Sequence, residues 1–206
     1  MANAALWAGK AAGKEGLPDF TLRALRGTFL LSAQNDPVHY NVVPGEFPEY
    51  FNGDNLIQKG MPLSPFVPGI YIWTALEGLV GISPYPTALR VDPVLPRGWD
   101  WMAVSNLPYR GNPLTILVDG KNHILYTTAP VESAWKHKVV PESLQKKFIF
   151  VSEKPAFELM VSKDGHLEVL AASAEAVTAK VVDRETRRVI RQFSISAGNL
   201  VEVGLQ

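Results

Sequence analysis

Cysteine is absent from this chain, so neither a disulfide nor a thiolate metal site supports its fold. No charge of one sign is in excess: 20 Lys and Arg balance 20 Asp and Glu, and like charges nowhere form a block. Such a surface leaves no electrostatic footprint for nucleic acid or an anionic membrane, and neither is expected as a partner. Histidine is scarce as well. His39, His123, His137 and His166 are scattered without metal-ligand spacing, so neither a metal nor another cofactor is expected. Long hydrophobic runs are missing: the longest, Phe66 to Ile82, is interrupted by Pro68, Thr74 and Glu77 and is short for a membrane span. The opening MANAALWAGKAAGKEG lacks a basic segment followed by a long apolar core, so no signal peptide is read. A cytoplasmic location is the expectation, with the status of Met1 as the natural start left open.

What is present is enough apolar side chain, 47% of 206 residues, to bury one large core or two small ones. The texture changes along the chain. Asp19 to Gln34 carries Phe20, Leu22, Leu25, Phe29 and Leu30 at spacings that predict an amphipathic helix, with Asp19 as N-cap and Arg23 and Arg26 toward water. Asn35 to Ser64 is polar and rich in Pro and Gly, and is expected to be an irregular loop of the functional kind. Ser64-Pro65 offers a cap and a first-turn proline for a helix over 66–81, with Gly81 as its stop. That helix is apolar on nearly every face, and such a helix needs cover on every face.

From Ala88 the apolar period becomes two. Leu114, Ile116 and Val118 precede the turn Asp119-Gly120, and Ile124 to Thr128 follows it. Phe157 to Ser162 and His166 to Ala171 flank Lys163-Asp164-Gly165, and a third hairpin turns between Asp183 and Arg188. Leu200 to Val203 adds a strand, and a short helix is expected around Glu142 to Lys146. The expected class is α+β: a helical part over 1–87, then an antiparallel β-sandwich-like domain over 88–206. Two helical hairpins' worth of chain cannot cover an all-apolar helix. An upstream portion outside this chain, or self-association, is therefore the expected partner of that surface.

Two stretches carry a resemblance. Glu77-Gly78-Leu79-Val80-Gly81-Ile82, then Leu89 to Pro96, Trp99 and Pro108-Tyr109-Arg110-Gly111, are similar to the end of the (α/α)6 barrel and the start of the β-domain in glycoside hydrolases and inverting disaccharide phosphorylases. Gly45-Glu46-Phe47-Pro48-Glu49-Tyr50-Phe51-Asn52-Gly53-Asp54 resembles the PE-x-F-x-GD segment of glycogen-debranching amylo-1,6-glucosidases. The resemblance implies that the helices are the last of such a barrel. It also implies an inverting hydrolysis of an oligosaccharide or α-glucan, with Glu49 as the base that activates water. Two carboxyl groups about 6.5–9.5 Å apart are needed for that reaction, and the family's acid lies upstream of the residues present here. The chain alone is therefore expected to be inactive.

Around Glu49 stand Glu46, Tyr50 and Asp54, carboxylates and an aromatic face of the kind that suits sugar hydroxyls and CH faces, and these three are the candidate substrate contacts. Elsewhere the expectations are structural. Glu77 is read as a paired carboxylate anchoring the β-domain, Arg110 as a buried ion-pair partner, Trp73 as core, and Trp99 and Trp101 as wedges at the junction or sugar-stacking rings. Two other functions stay open: a non-catalytic carbohydrate-binding or structural module, and a fragment of an inverting disaccharide phosphorylase.

Overall fold

The structure is a computed structural model and describes residues 2–32, 38, 46–61 and 63–205. Positions 35–37, 39–45 and 62 of the expected irregular stretch, with His39 and Gly45, lie outside the described residues, as does Met1. The chain divides into two compact units, Met1–Gly98 and Trp99–Gln206.

Among its described residues the first unit has the helices α1 (Ala2–Lys14), α2 (Pro18–Ser32) and α3 (Val67–Gly78). Helix α1 carries no hydrophobic period, because the face it turns inward is Leu6, Gly9 and Gly13. Small residues there let backbones meet. A Cβ on Gly13 would stand 1.9 Å from the Gly78 carbonyl oxygen, and one on Gly9 2.8 Å from Ala24 Cβ. Contact that close turns hydroxyls into cross-helix links. Thr21 Oγ1 donates to the Gly9 carbonyl at 2.7 Å and Thr74 Oγ1 to the Leu6 carbonyl at 3.1 Å. Each is a buried polar group satisfied by its neighbour helix.

These contacts overturn parts of the helix reading. The stripe that α2 buries is Thr21, Leu25 and Thr28, whereas Phe20, Phe29 and Leu30 are exposed. The helix starts at Pro18, so Asp19 sits in its first turn instead of capping it, and its carboxylate accepts the Arg97 backbone N–H at 2.8 Å. Helix α3 starts at Val67 with Pro68 in its first turn and no side-chain cap, and ends at Gly78, short of Gly81. It is not buried all round. Val67, Thr74 and Gly78 are buried, while Phe66, just before its start, Ile72 and Trp73 are 67%, 58% and 40% exposed. Its described residues also form two small antiparallel ribbons, β1 (Tyr50–Phe51) with β2 (Gln58–Lys59), and β3 (Ile82–Pro84) with β4 (Leu89–Val91).

In the second unit three sheets are stacked. One has the order β5 (Trp101–Tyr109), β6 (Asn112–Asp119), β7 (Ile124–Thr127), β8 (Lys136–Val139). A second pairs β10 (Phe157–Lys163), β11 (His166–Ala172) and β14 (Leu200–Gly204), and the third pairs β13 (Val189–Ile195), β12 (Val177–Asp183) and β9 (Phe148–Ser152). The middle sheet is β10-β11-β14. Leu159, Val161 and Leu170 pack toward Leu117 and Tyr126 of the first sheet. Met160, Val169 and Ala171 pack toward Val177, Ala179, Val181 and Ile195 of the third. Alternation along a strand sends neighbours to opposite faces, so a strand apolar at every position must lie between two layers. The runs Leu159-Met160-Val161 and Val169-Leu170-Ala171 do so.

Turn chemistry sets the registers. Asp164 and Gly165 have φ of 51° and 82°, the left-handed pair that a two-residue hairpin turn requires, and Lys163 faces His166. At the β6–β7 turn Asp119 accepts the backbone N–H and side-chain amide of Asn122 at 3.1 and 2.7 Å. Asp183 accepts from the backbone of Glu185 and Thr186 and from the Thr186 hydroxyl, which holds the β12–β13 turn. The short helix is found as α4 (Glu142–Lys147). Three strands of the second unit were not expected, β5, β8 and β9, nor were the short strands β1 to β4 of the first. One pairing departs from the antiparallel expectation, since β8 runs parallel to β7.

Candidate functional site

The described part of the polar stretch is more regular than expected. From Phe47 to Ser64 the chain doubles back on itself: Ser64 N–H donates to Phe47 C=O, Glu49 N–H to Met61 C=O, and Asn52 N–H to Ile57 C=O, each at 3.0 Å. Between them Tyr50 pairs with Lys59 and Phe51 with Gln58. Asparagine side chains shape the tip, where Asn52 Oδ1 accepts the Asp54 N–H and Asn55 Oδ1 the Ile57 N–H. The aromatic rings of Phe47 and Tyr71 lie 5.2 Å apart, which ties the ribbon's start to α3. Burial raises the pKa of the Tyr71 phenol.

Glu49 is half-buried and its carboxylate has a defined partner. Oε2 accepts the Met61 backbone N–H at 3.2 Å, taking the place of the carbonyl that would continue the β1–β2 ladder. Gly60 makes this possible. Its φ is +73°, and a Cβ there would meet both Glu49 Oε2 and the Tyr50 ring at 2.6 Å. The structure therefore brings Glu49 and Tyr50 together against one glycine. It does not bring Asp54 to them: Asp54 is exposed at the ribbon's far tip. Glu46 is half-buried just ahead of the ribbon.

A second constellation on α1 and α3 escaped the sequence reading. Glu77, with a side chain 13% exposed, meets Lys14 Nζ at 2.8 Å and Lys10 Nζ at 3.5 Å, and accepts the Trp73 indole N–H. Lys10 Nζ stands 3.2 Å from the centre of the Trp73 ring, and Trp7 meets that ring edge-on at 6.1 Å. Burial pushes the Glu77 carboxyl up, but the hydrogen bonds from Lys14 and Trp73 and the charges of Lys10 and Lys14 outweigh it and hold the pKa below its ordinary value. Glu77 is a paired carboxylate, as expected. The partners identified here are helical, however, and belong to the first unit. Trp73 is no core residue: it roofs this ion cluster at the surface.

Among the remaining candidates, Arg110 is exposed at the β5–β6 turn with φ of 50°, 5.3 Å from the Tyr109 ring, and is not buried. Trp101 donates its indole N–H to the Gly198 carbonyl at 2.6 Å. The described histidines join no group that could hold a metal ion. His123 stacks on Trp135 at 3.8 Å. Thr127 gives its hydroxyl hydrogen to Ala129 C=O and accepts from His137 Nε2 at 2.7 Å, and burial lowers the His137 pKa. Among the described residues no group of His, Asp and Glu could hold a metal ion, and no helix is long and apolar enough to cross a membrane.

One carboxyl pair with separated pKa values exists in the second unit. A hydrogen bond to Glu202, with burial, raises the pKa of Glu168; the same bond and that of Lys163 lower Glu202. Direct contact leaves no room for the water that an inverting pair must hold between its carboxyls. This pair is therefore no substitute for Glu49 and an acid.

Compared with known proteins, residues 82–132 match the family model described as Glycosyl hydrolase family 65, C-terminal domain. The match runs from β3 through β7 and includes the Leu89–Pro96, Trp99 and Tyr109-Arg110-Gly111 segments. That part of the chain is similar to the C-terminal domain of a glycoside hydrolase or phosphorylase. No curated protein and no solved structure matches the chain.

Proposed function

We propose that this chain is the C-terminal portion of a barrel glycoside hydrolase acting on an oligosaccharide or α-glucan, with Glu49 as the general base. The observation that carries the reading is the match of residues 82–132 to a glycosyl hydrolase C-terminal domain, preceded in sequence by the Pro48–Asp54 segment. Helices α1 to α3 are read as the last of an (α/α)6 barrel, within a helical part over 1–87, and the acid comes from outside this chain. The exposed side chains of Phe66, Ile72 and Trp73 form the surface that the remaining barrel, or a second copy, would cover. Alone, the chain is inactive, and its working location is the cytoplasm.

In this mechanism the Met61 N–H holds Oε2 and so fixes the carboxylate's plane. Oε1 takes a proton from water, whose oxygen attacks the anomeric carbon. The acid protonates the leaving glycosidic oxygen as that bond breaks. Tyr50, Glu46 and Asp54 are read as substrate contacts, with Tyr50 closest to the base.

Glu49→Gln in the enzyme that carries this chain should lower hydrolysis by ~10²–10⁴-fold with binding retained, and Glu46→Gln should cost much less. Activity that survives Glu49→Gln but not Glu46→Gln would show the wrong carboxylate. Formation of a sugar phosphate only when inorganic phosphate is supplied would replace hydrolysis with phosphorolysis. Absence of turnover in any form would leave a non-catalytic module.

A further inference from the structure

Between the first and middle sheets of the second unit the packing is uneven, and the unevenness has a cause in residue size. Sheets stacked about 10 Å apart need side chains of leucine size to fill the gap. Leu117, Leu159 and Leu170 fill it at the core. Toward one end the facing positions are Ala103 and Ser105 of β5, and Phe157 and Ala172 of β10 and β11, followed by Ser173. Phe157 pairs directly with Ala172, so both face the same layer as Leu159 and Leu170. Alanine and serine cannot span the layer, and a shallow cleft of about 330 Å³, largely open to solvent, remains at the sheet edges. That lies at the lower end of the ~300–1,000 Å³ typical of small-molecule sites.

Three features decide what such a cleft takes. Trp101 lines it, with its indole N–H committed to the Gly198 carbonyl, so the ring is a fixed platform. No lining residue is charged; of the four charged residues that flank the lining segments in sequence, Lys154 pairs with Glu175 and Asp100 with Lys121, while Glu158 pairs with Ala171 on the other face of the sheet. An ionic ligand would therefore meet no counter-charge. The lining strands β5 and β10 are the outer strands of their sheets, and outer strands present unpaired backbone donors and acceptors. A fixed aromatic face, a neutral lining, the Ser105 hydroxyl and backbone polar groups complement a neutral polyhydroxylated ring.

We propose that the Trp101–Phe157 cleft is a binding site for a neutral pyranose, one sugar unit of an oligosaccharide stacking on Trp101. The cleft's shape and neutrality stand on their own; the choice of a sugar over another neutral ligand rests on the glycoside hydrolase reading above.

The test is NMR titration of the full chain with maltotriose, following the Trp101 indole N–H, which Trp101→Phe identifies by its loss. Binding on the order of millimolar is expected. Ala103→Leu, which fills the gap with the side chain used at neighbouring positions, should weaken it at least tenfold while the β-rich circular dichroism is kept. An unmoved Trp101 resonance, an equal shift in Ala103→Leu, or an equal response to polyethylene glycol of similar mass would overturn the proposal. If binding is absent while Glu49→Gln still abolishes hydrolysis, the cleft reading falls alone. If maltotriose binds while Glu49→Gln leaves hydrolysis intact, the base assignment falls alone.

Discussion

Helix α3 and the centres of the paired strands β10 and β11 (159–161 and 169–171) are both unbroken or nearly unbroken apolar runs, yet they meet opposite fates. The strands lie between two other sheets, and Leu159, Met160, Val161, Val169, Leu170 and Ala171 are each at most 4% exposed. The helix packs one side on α1 and α2 and leaves Ile72 mostly, and Trp73 partly, in solvent. An unbroken apolar run states a demand for cover on every face. Whether the demand is met depends on what else the chain can bring there. The second unit has three sheets and meets it; among the described residues of the first, α1 and α2 pack on one side of α3.

That contrast can be broken from its strong end. Leu170→Ala in the middle sheet removes a side chain packed against Leu117 and Leu159 and leaves a cavity, and should cost about 2–5 kcal/mol, read as a lower urea midpoint at unchanged slope. A loss below the ~0.5 kcal/mol typical of surface changes would mean that the sheet is not the middle layer described.

Glu77→Gln probes the polar cluster that lets α3 present a partly open face. It should cost about 1.5–3 kcal/mol, the range for hydrogen bonds to a charged group. The loss has a pH signature. The Glu77 pKa is lowered in the fold, so its contribution is present above the ordinary value of 4.5 and fades as pH falls through the lower folded value. Wild type and Glu77→Gln should therefore converge in stability at acid pH. A gap that stays constant from neutral to strongly acid pH would remove the ion cluster from the explanation.

The smallest effect on stability is expected at the bare face. Ile72→Ser should change stability by no more than ~0.5 kcal/mol, because that side chain is mostly in water already. Self-association, measured by sedimentation velocity, should fall. Stability loss as large as that of Leu170→Ala would show that Ile72 is covered in solution.

The hairpins were readable because turn residues and period-two alternation act locally. Asp164-Gly165, Asp119 with Asn122, and Asp183 with Thr186 set their turns within a few residues. Helix α1 was not readable as a packing element: its buried face is Leu6, Gly9 and Gly13, which carries no hydrophobic period, and its value lies in close approach to a helix some sixty residues away. The same distance hid the Glu77 cluster, whose partners Lys10 and Lys14 are remote in sequence. At the candidate site, the carboxylates and aromatics of the Glu46–Asp54 segment were visible as composition. That Glu49 and Tyr50 share Gly60, and that Asp54 stands off at the ribbon tip, followed from hydrogen bonds between residues 47–52 and 57–64.

By itself the sequence determined the α+β order, the turns of the hairpins and the kind of surface the chain presents, because these depend on neighbouring residues and on composition. Tertiary structure alone decided which apolar runs would be covered, which carboxylates would find partners, and where small side chains would leave a cleft open. Those outcomes depend on the size and charge of whatever packs across a gap. The facing residue is set by topology rather than by nearness along the chain.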